Sequence, residues 1–347
     1  MENKLYVSLS PHIKNKTDVK RIMYAVVIAL LPAWIMSIYL YGARPLWLTL
    51  VAIATAVITE AVIQKLRKVK LEAFDGSAVL TGMLLAFNIP PDVPWWIPVI
   101  GSIFAIAIAK QAFGGLGYNI FNPALAGRIF LMISFPVRMT TKWLVPKDGT
   151  LAGFSASGNL DAVTGSTPLT ALKLARNDIL ANAAPEKIEL AKRTVEHLYE
   201  AWPAMFFGKI GGCIGETSAI ALLLGGIFLI ALRIVDYRIP LSYIASVAVF
   251  GWMFGGVEGF GSGNIPFQLF SGGLMLGALF MATDMVTSPV TRKGRWIFGI
   301  GCGLLTVIIR RWGAYPEGVS FAIFLMNMVV PIIDRHTVPK KYGAVKK

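Results

Sequence analysis

The sequence predicts an all-α polytopic membrane protein, and three observations predict it. Its 347 residues are 55% hydrophobic and only 15% charged, with a mean hydropathy of +0.63, more apolar surface than a soluble core of that length absorbs. The apolar residues gather in windows of membrane-spanning length. The 33 basic residues, against 19 acidic ones, lie in short clusters between those windows, which marks cytoplasmic loops rather than a nucleic-acid-binding face.

A spanning helix needs about 20 mainly apolar residues. Such windows run from Met23 to Tyr41, Leu46 to Ile63, Trp96 to Ala112, Phe121 to Pro136, Ile214 to Ile234, Pro240 to Phe254, Trp296 to Ile309 and Val319 to Ile333. Two shorter, glycine-bearing runs, Ser77 to Ile89 and Gly272 to Met281, are expected as broken or tilted helices. The expected total is about ten membrane segments.

Lysine and arginine set the orientation. Lys14, Lys16, Lys20 and Arg21 precede the first span, Lys65, Arg67, Lys68 and Lys70 follow the second, and Arg292, Lys293 and Arg295 precede the ninth. With ten spans these clusters and the terminal lysines share one face, so both termini are expected to be cytoplasmic. Arg310 and Arg311 alone fall on the wrong side. The expected organisation is a cytoplasmic segment 1–21, a five-helix repeat 22–136, an extracytoplasmic loop 137–212, a second five-helix repeat 213–335 and a basic tail 336–347. The first twenty residues show no cleavable signal pattern.

The halves resemble each other. Ala78-Val-Leu-Thr-Gly-Met-Leu-Leu-Ala-Phe87 parallels Gly273-Leu-Met-Leu-Gly-Ala-Leu-Phe-Met-Ala282, each followed by a proline and a tryptophan-led span; further on, Phe113-Gly114-Gly115 parallels Trp312-Gly313-Ala314. Matched features lie roughly 195 to 200 residues apart. Five spans per repeat is odd, so the second repeat enters the bilayer from the opposite face, giving two inverted repeats with the short segments at the centre.

Charges inside such segments are costly and need a reason. Glu60 sits in the second span, Lys110 ends the fourth, Arg128 lies within the fifth, Glu216 opens the sixth and Asp284 closes the eighth. Glu60, Glu216 and Asp284 are candidates for an ion path. Pairing with a neighbouring helix, or snorkelling near a segment end, is the structural alternative. Cys213 and Cys302, both in apolar segments, cannot hold an all-cysteine iron–sulfur cluster, which takes four thiolates. The three histidines, His12, His197 and His336, show no metal spacing, so no metal is expected.

The long segment 137–212 holds a run, Asp161-Ala-Val-Thr164-Gly165-Ser166-Thr167, that resembles a flavinylation signature: Asp, two variable residues, Ser or Thr, Gly, Ala or Ser, then the threonine that carries FMN through a phosphoester. A turn of small residues lets a transferase reach the hydroxyl, which is therefore expected exposed at a loop tip. Asp75-Gly-Ser-Ala-Val-Leu-Thr-Gly82, Gly114 to Arg128, Gly215-Glu-Thr-Ser218 and Ala282-Thr-Asp284 to Thr287-Ser-Pro289 add to it. Together, in order and over nearly the whole chain, these runs resemble the D subunits of Rnf complexes, relatives of the B subunit of the sodium-translocating NADH:quinone reductase Nqr. Ser166 stands where alanine is commoner in that family, and Met285 where proline is expected.

The resemblance implies a membrane subunit of a ferredoxin:NAD oxidoreductase that couples electron transfer to movement of sodium ions or protons, active only as part of the complex. Thr167 would carry covalent FMN, installed by a flavin transferase that reads Asp161, Thr164, Gly165 and Ser166. A second, noncovalent flavin between the repeats is open on this reading. The partners implied are iron–sulfur, NADH-binding and further flavinylated and membrane subunits, with lipid around the body and no nucleic acid. Neither a dinucleotide fingerprint nor a cluster-binding cysteine set occurs in the sequence, so electrons arrive from and leave to those subunits. From the residues alone, inverted repeats also fit a flavin-free channel or secondary transporter, and a purely structural assembly subunit is the third reading.

Overall fold

The fold is taken from a computed structural model, which describes residues 18–69, 71, 74–140, 143, 167–181, 184–208, 211–216, 218–257 and 259–339. The described residues form helices and turns without a strand. The helices are α1 Val19–Tyr41, α2 Ala43–Leu66, α3 Ser77–Phe87, α4 Trp96–Ala107, α5 Pro123–Ser134, α6 Pro136–Thr140, α7 Pro168–Leu180, α8 Pro185–Glu200, α9 Trp202–Phe207, α10 Ala219–Ala231, α11 Arg238–Phe254, α12 Ile265–Phe270, α13 Leu274–Leu276, α14 Arg292–Trp312 and α15 Val319–His336.

Among the described residues, four helical stretches are long and apolar enough to cross a membrane: Val19–Tyr41, Ala43–Leu66, Trp96–Phe113 and Val319–His336. Their outer faces confirm an integral membrane protein. Ile28, Ile35, Trp47, Ile58, Val62 and Ile332 are exposed, and apolar side chains turned outward along whole helices are at home in lipid.

Local sequence sets the breaks. Gly42, at φ 79°, ends α1 with its N–H on the Ile38 carbonyl, and α2 begins at once. Asn122 caps α5 by accepting from Ala124 N at 3.0 Å, with Pro123 in the first helical position where its missing N–H costs nothing. α3 has 11 residues and is buried along most of its length, which gives it about 16 Å of reach, half of a bilayer core. The matching run in the second half does not form a regular helix. α13 is three residues long and passes into a π-helical turn, Gly277–Met281, in which Ala282 N donates to the Gly277 carbonyl at 2.7 Å.

Small residues let these helices touch backbone to backbone, the packing mode open to a protein without a hydrophobic drive between its helices. A Cβ on Gly82 of α3 would lie 2.7 Å from Ile53 Cα of α2, and one on Gly225 of α10 would lie 2.1 Å from the Ala29 carbonyl oxygen of α1. On α14, Gly299 and Gly303 form a Gly-x-x-x-Gly ridge against Ser242 and Ser246 of α11. One turn on, Tyr243 Oη and Thr306 Oγ1 meet at 2.7 Å. α1 packs on α10, α2 on α3 and α4, α11 on α14, and α14 on α15.

Within the long segment, α7 and α8 form a helical pair on a separate apolar cluster, in which Leu169, Leu172, Ala191, Val195 and Met205 pack with Phe267 of α12. The polar run from Glu186 to Tyr199 lies within α8.

Gly225→Val is expected to abolish the monodisperse peak in size-exclusion chromatography of a fluorescently tagged chain. Leu224→Ala, on the exposed face of the same helix, is expected to leave that peak in place. A normal Gly225→Val peak would show that α1 and α10 are not in backbone contact.

Candidate functional site

Two buried polar clusters stand at the two ends of α3. At its start, Lys110 Nζ lies 2.8 Å from the Glu60 carboxylate, with both side chains 2% exposed, and donates to Ser77 Oγ at 2.6 Å. Gln111 Nε2 and Gln64 Nε2 also donate to Glu60, at 2.8 and 3.3 Å. Lys110 reaches this point because α4 gives way at Ala107 to a 3-10 turn, Gln111–Phe113, which Arg67 holds from α2 by donating to the Gln111 carbonyl at 2.7 Å. Glu60 is therefore paired with Lys110 from the segment that follows α4.

At the end of α3, Arg128 of α5 donates to Asn88 Oδ1 at 2.6 Å, pairs with Glu317, and lies 3.6 Å from Glu216 Oε1. Cys213 Sγ is 3.9 Å from the same guanidinium. Cys213, Glu216 and Glu317 offer ligand atoms within 4.8 Å of one another, but the guanidinium among them repels a divalent cation from that spot. Glu216 Oε1 has no hydrogen-bond donor among the described residues. Glu317 was not foreseen from the sequence; a carboxylate directly before an apolar window, as Asp284 is directly after one, was the available signal.

Asp284 follows the π turn and accepts from Val286 N at 3.4 Å and Thr287 Oγ1 at 3.1 Å. It lines a cavity of about 80 Å³ together with Ser77, Lys110, Asn119, Asn122 and Thr283. Asn122 Nδ2 donates to the Met281 carbonyl at 3.3 Å, and Asn119 Oδ1 is buried without a partner among the described residues. The structure thus brings Glu60 and Asp284 near one lysine, Lys110, while Glu216 stands about 16 Å away at the other end of α3.

Thr167 corrects one expectation. Instead of an exposed loop tip, it is 5% exposed and caps α7: its Oγ1 accepts from Thr170 N at 3.3 Å and meets Thr170 Oγ1 at 2.8 Å. The reason is local, since Thr167-Pro168 is a helix start, a capping hydroxyl followed by proline. Asp161, Thr164, Gly165 and Ser166 lie outside the described residues.

Beside Thr167 a narrow cleft is lined by Pro168, Met205, Gly208, Gly212, Glu216 and Phe270. Trp202 stacks on Phe270 at 6.1 Å, and Phe206 meets it edge-on at 5.1 Å.

The Glu60–Lys110 pair gives a test by double-mutant cycle. Glu60→Gln or Lys110→Met alone leaves a buried charge unanswered and is expected to cost about 3–5 kcal/mol. Glu60→Gln combined with Lys110→Met is expected to recover most of that loss, read as the thermal midpoint in detergent. Additive losses would mean the two groups do not interact.

Comparison with known proteins agrees with the resemblance drawn from the motifs. The chain is 45% identical over 348 residues to the D subunit of the Na(+)-translocating ferredoxin:NAD(+) oxidoreductase complex of Acetobacterium woodii, covering 99% of this chain and 97% of that one. It is 45% identical to the D subunit of the proton-translocating ferredoxin:NAD(+) oxidoreductase complex of Clostridium ljungdahlii, with the same coverage. It is 43% identical to the D subunit of the ion-translocating oxidoreductase complex of Stutzerimonas stutzeri, over 94% of this chain and 93% of the relative. Residues 6–343 match the family described as NQR2, RnfD, RnfE, and the chain belongs to that family.

Proposed function

We propose that this chain is the subunit of an ion-translocating ferredoxin:NAD oxidoreductase complex that relays electrons within the membrane, carrying FMN on Thr167, while the complex moves sodium ions or protons. The similarity to D subunits of such complexes runs the length of the chain. The observation that carries the flavin reading is the position of the Thr167 hydroxyl, the last residue of the Asp161–Thr167 run, at the N-terminus of the 13-residue helix α7.

That position fits a phosphoester. The first-turn N–H groups of a helix have no intrahelical partners and carry partial positive charge, so phosphate oxygens are stabilised there. The flat faces of Trp202 and Phe270 beside it suit an isoalloxazine ring. Bound there, FMN would supply transfer of electrons singly or in pairs, with potential and solvent access set by the protein. Because Thr167 is buried where it caps α7, attachment belongs to a stage before α7 docks on α12, when a flavin transferase still reaches the hydroxyl. Electrons come from and go to iron–sulfur, nicotinamide-binding and other flavin-bearing subunits.

In this reading ten segments cross the inner membrane of a bacterium, α1 to α5 and α10, α11, α13 with its π turn, α14 and α15, as two inverted repeats with both termini in the cytoplasm and α7 outside. The parallel between α2 on α4 and α11 on α14, with a short central segment in each half, supports it. A second, noncovalent flavin would belong in the cavity beside Asn119 and Asp284. At about 80 Å³ that cavity is several-fold below the ~300 Å³ lower range of ligand pockets, so occupancy requires it to widen.

For the ion path, Glu216 and Asp284 are favoured over Glu60, whose charge is already answered by Lys110. Glu216 Oε1 and Ser271 Oγ both lack hydrogen-bond partners among the described residues and line the same cleft.

Protein co-expressed with its transferase should show a fluorescent band in denaturing gels and an intact mass raised by one FMN. Thr167→Asn keeps a side chain that caps helices well and offers no hydroxyl, so it should fold normally and lose both signals. Persistence of either signal in Thr167→Asn, or its absence from the unsubstituted chain, would sink the assignment.

A further inference from the structure

The two arginines that break the charge asymmetry, Arg310 and Arg311, end α14, and the structure places two more cations opposite them. Lys173 and Arg176 of α7 line one small cavity with Arg310 and Arg311, and no carboxylate is among its ten lining residues. Among the described residues, every hydrogen bond these four groups make is to a neutral acceptor. Arg176 donates to the carbonyls of Gly255 and Gly256 at 2.8 and 3.1 Å, and Arg311 donates to that of Gly256 at 3.2 Å. Arg310 donates to the carbonyl and side-chain oxygens of Gln268 at 2.6 and 3.1 Å and to the Ser271 carbonyl at 2.9 Å. Lys173 donates to the carbonyl oxygens of Gly313, at 2.7 Å, and Ala314.

Arg176 and Arg310 are 5% and 7% exposed, and the Nε–H of each is buried without a partner among the described residues. Glu317 and Glu216, the carboxylates on the same side of the bundle, are engaged with Arg128. Burial, and then the like charge of Arg311, pull the Arg176 guanidinium down to about 10, against a smaller opposing effect of Tyr199. Buried cations without an ionic partner are costly, and two of them, Arg176 and Arg310, meet here beside the partly exposed Lys173 and Arg311.

We infer that this cavity is an anion site that takes a halide-sized inorganic anion, held by the unpartnered Nε–H groups of Arg176 and Arg310 and by the charge of Lys173 and Arg311. The space, about 10 Å³, admits one small body, which favours a monatomic anion over a tetrahedral oxyanion. The anion joins α7 to α12 and α14, so it fixes the helix that Thr167 caps. The inference rests on this packing and is independent of what Thr167 carries.

The test uses the full-length chain purified in detergent, with thermal unfolding followed by tryptophan fluorescence in chloride, bromide, sulfate and gluconate at matched ionic strength. A saturable upward shift of several degrees in chloride and bromide, absent in gluconate, is expected, together with its loss in Arg176→Gln and in Arg310→Gln. Equal midpoints in chloride and gluconate, or an undiminished halide response in both variants, overturn the inference; a larger shift in sulfate overturns the halide assignment. Glu258, outside the described residues, is the rival counter-charge. Glu258→Gln is expected to keep the halide response, and a response found only in that variant overturns the site in the natural chain. Should the arginine variants fail to fold, crystals of the unsubstituted chain soaked in bromide decide: an anomalous peak between Arg176 and Arg310 supports the site, and none removes it.

Discussion

Charge inside this bundle has to be answered from within the chain, because lipid supplies neither water nor counter-ions. Lys110 answers Glu60 and holds Ser77, which ties the break after α4 to α2 and to the start of α3. Arg128 answers Glu216 and Glu317 and holds Asn88, which ties α5 to the end of α3 and to the segments entering α10 and α15. The two clusters therefore clamp α3 at both ends. Its 11 residues are the reason they fit, since a full-length helix would fill with apolar side chains the space where these polar groups converge.

The clamp works only if the helices come close, and glycine makes that possible at defined points. Gly82 sets α3 on the backbone of α2, and Gly225 sets α10 on α1. Gly277 has a different task. A Cβ there would lie 2.3 Å from Val319 Cγ1, so the π turn runs directly against α15. A π turn carries one residue more than an α-turn and is found often at functional sites. Here it turns the Met281 carbonyl toward Asn122 Nδ2 and hands the chain to Asp284.

The long helices were legible because hydropathy alone specifies them: the windows beginning at Met23, Leu46, Trp96 and Val319 fall within the four helical stretches of spanning length and composition. The family was legible because its runs are short, polar and ordered along the chain. The partners of the buried charges were not. Glu60 and Lys110 are fifty residues apart in sequence, and no local pattern reports a pairing made by tertiary packing. Thr167 was misplaced for the opposite reason. The turn-rich motif argued for a loop tip, while Thr167-Pro168 carried a helix-capping signal that prevailed in the fold. Arg310 and Arg311 stood out in the sequence as an exception to the charge rule, and the neutral acceptors that take their hydrogen bonds among the described residues became visible only when α7 was seen packed over them.

The two relatives at 45% identity are named for different ions, sodium in one and protons in the other, so overall similarity does not decide which ion is moved. If the ion path runs through Glu216, as proposed above, the chemistry of its cleft bears on that choice. A carboxylate facing a guanidinium binds a proton with a single oxygen and nothing further. A hard metal cation needs a shell of several oxygens, and beside an arginine it must also overcome like-charge repulsion. Arg128 is shared by two carboxylates, and Glu216, the more distant at 3.6 Å, is the one that can release it to Glu317 and receive a cation instead. Whether that cation is a proton or sodium then depends on neighbouring neutral oxygens such as Ser271 Oγ, buried in the same cleft. On that proposal, ion choice is a property of the groups around the acid and not of the acid alone.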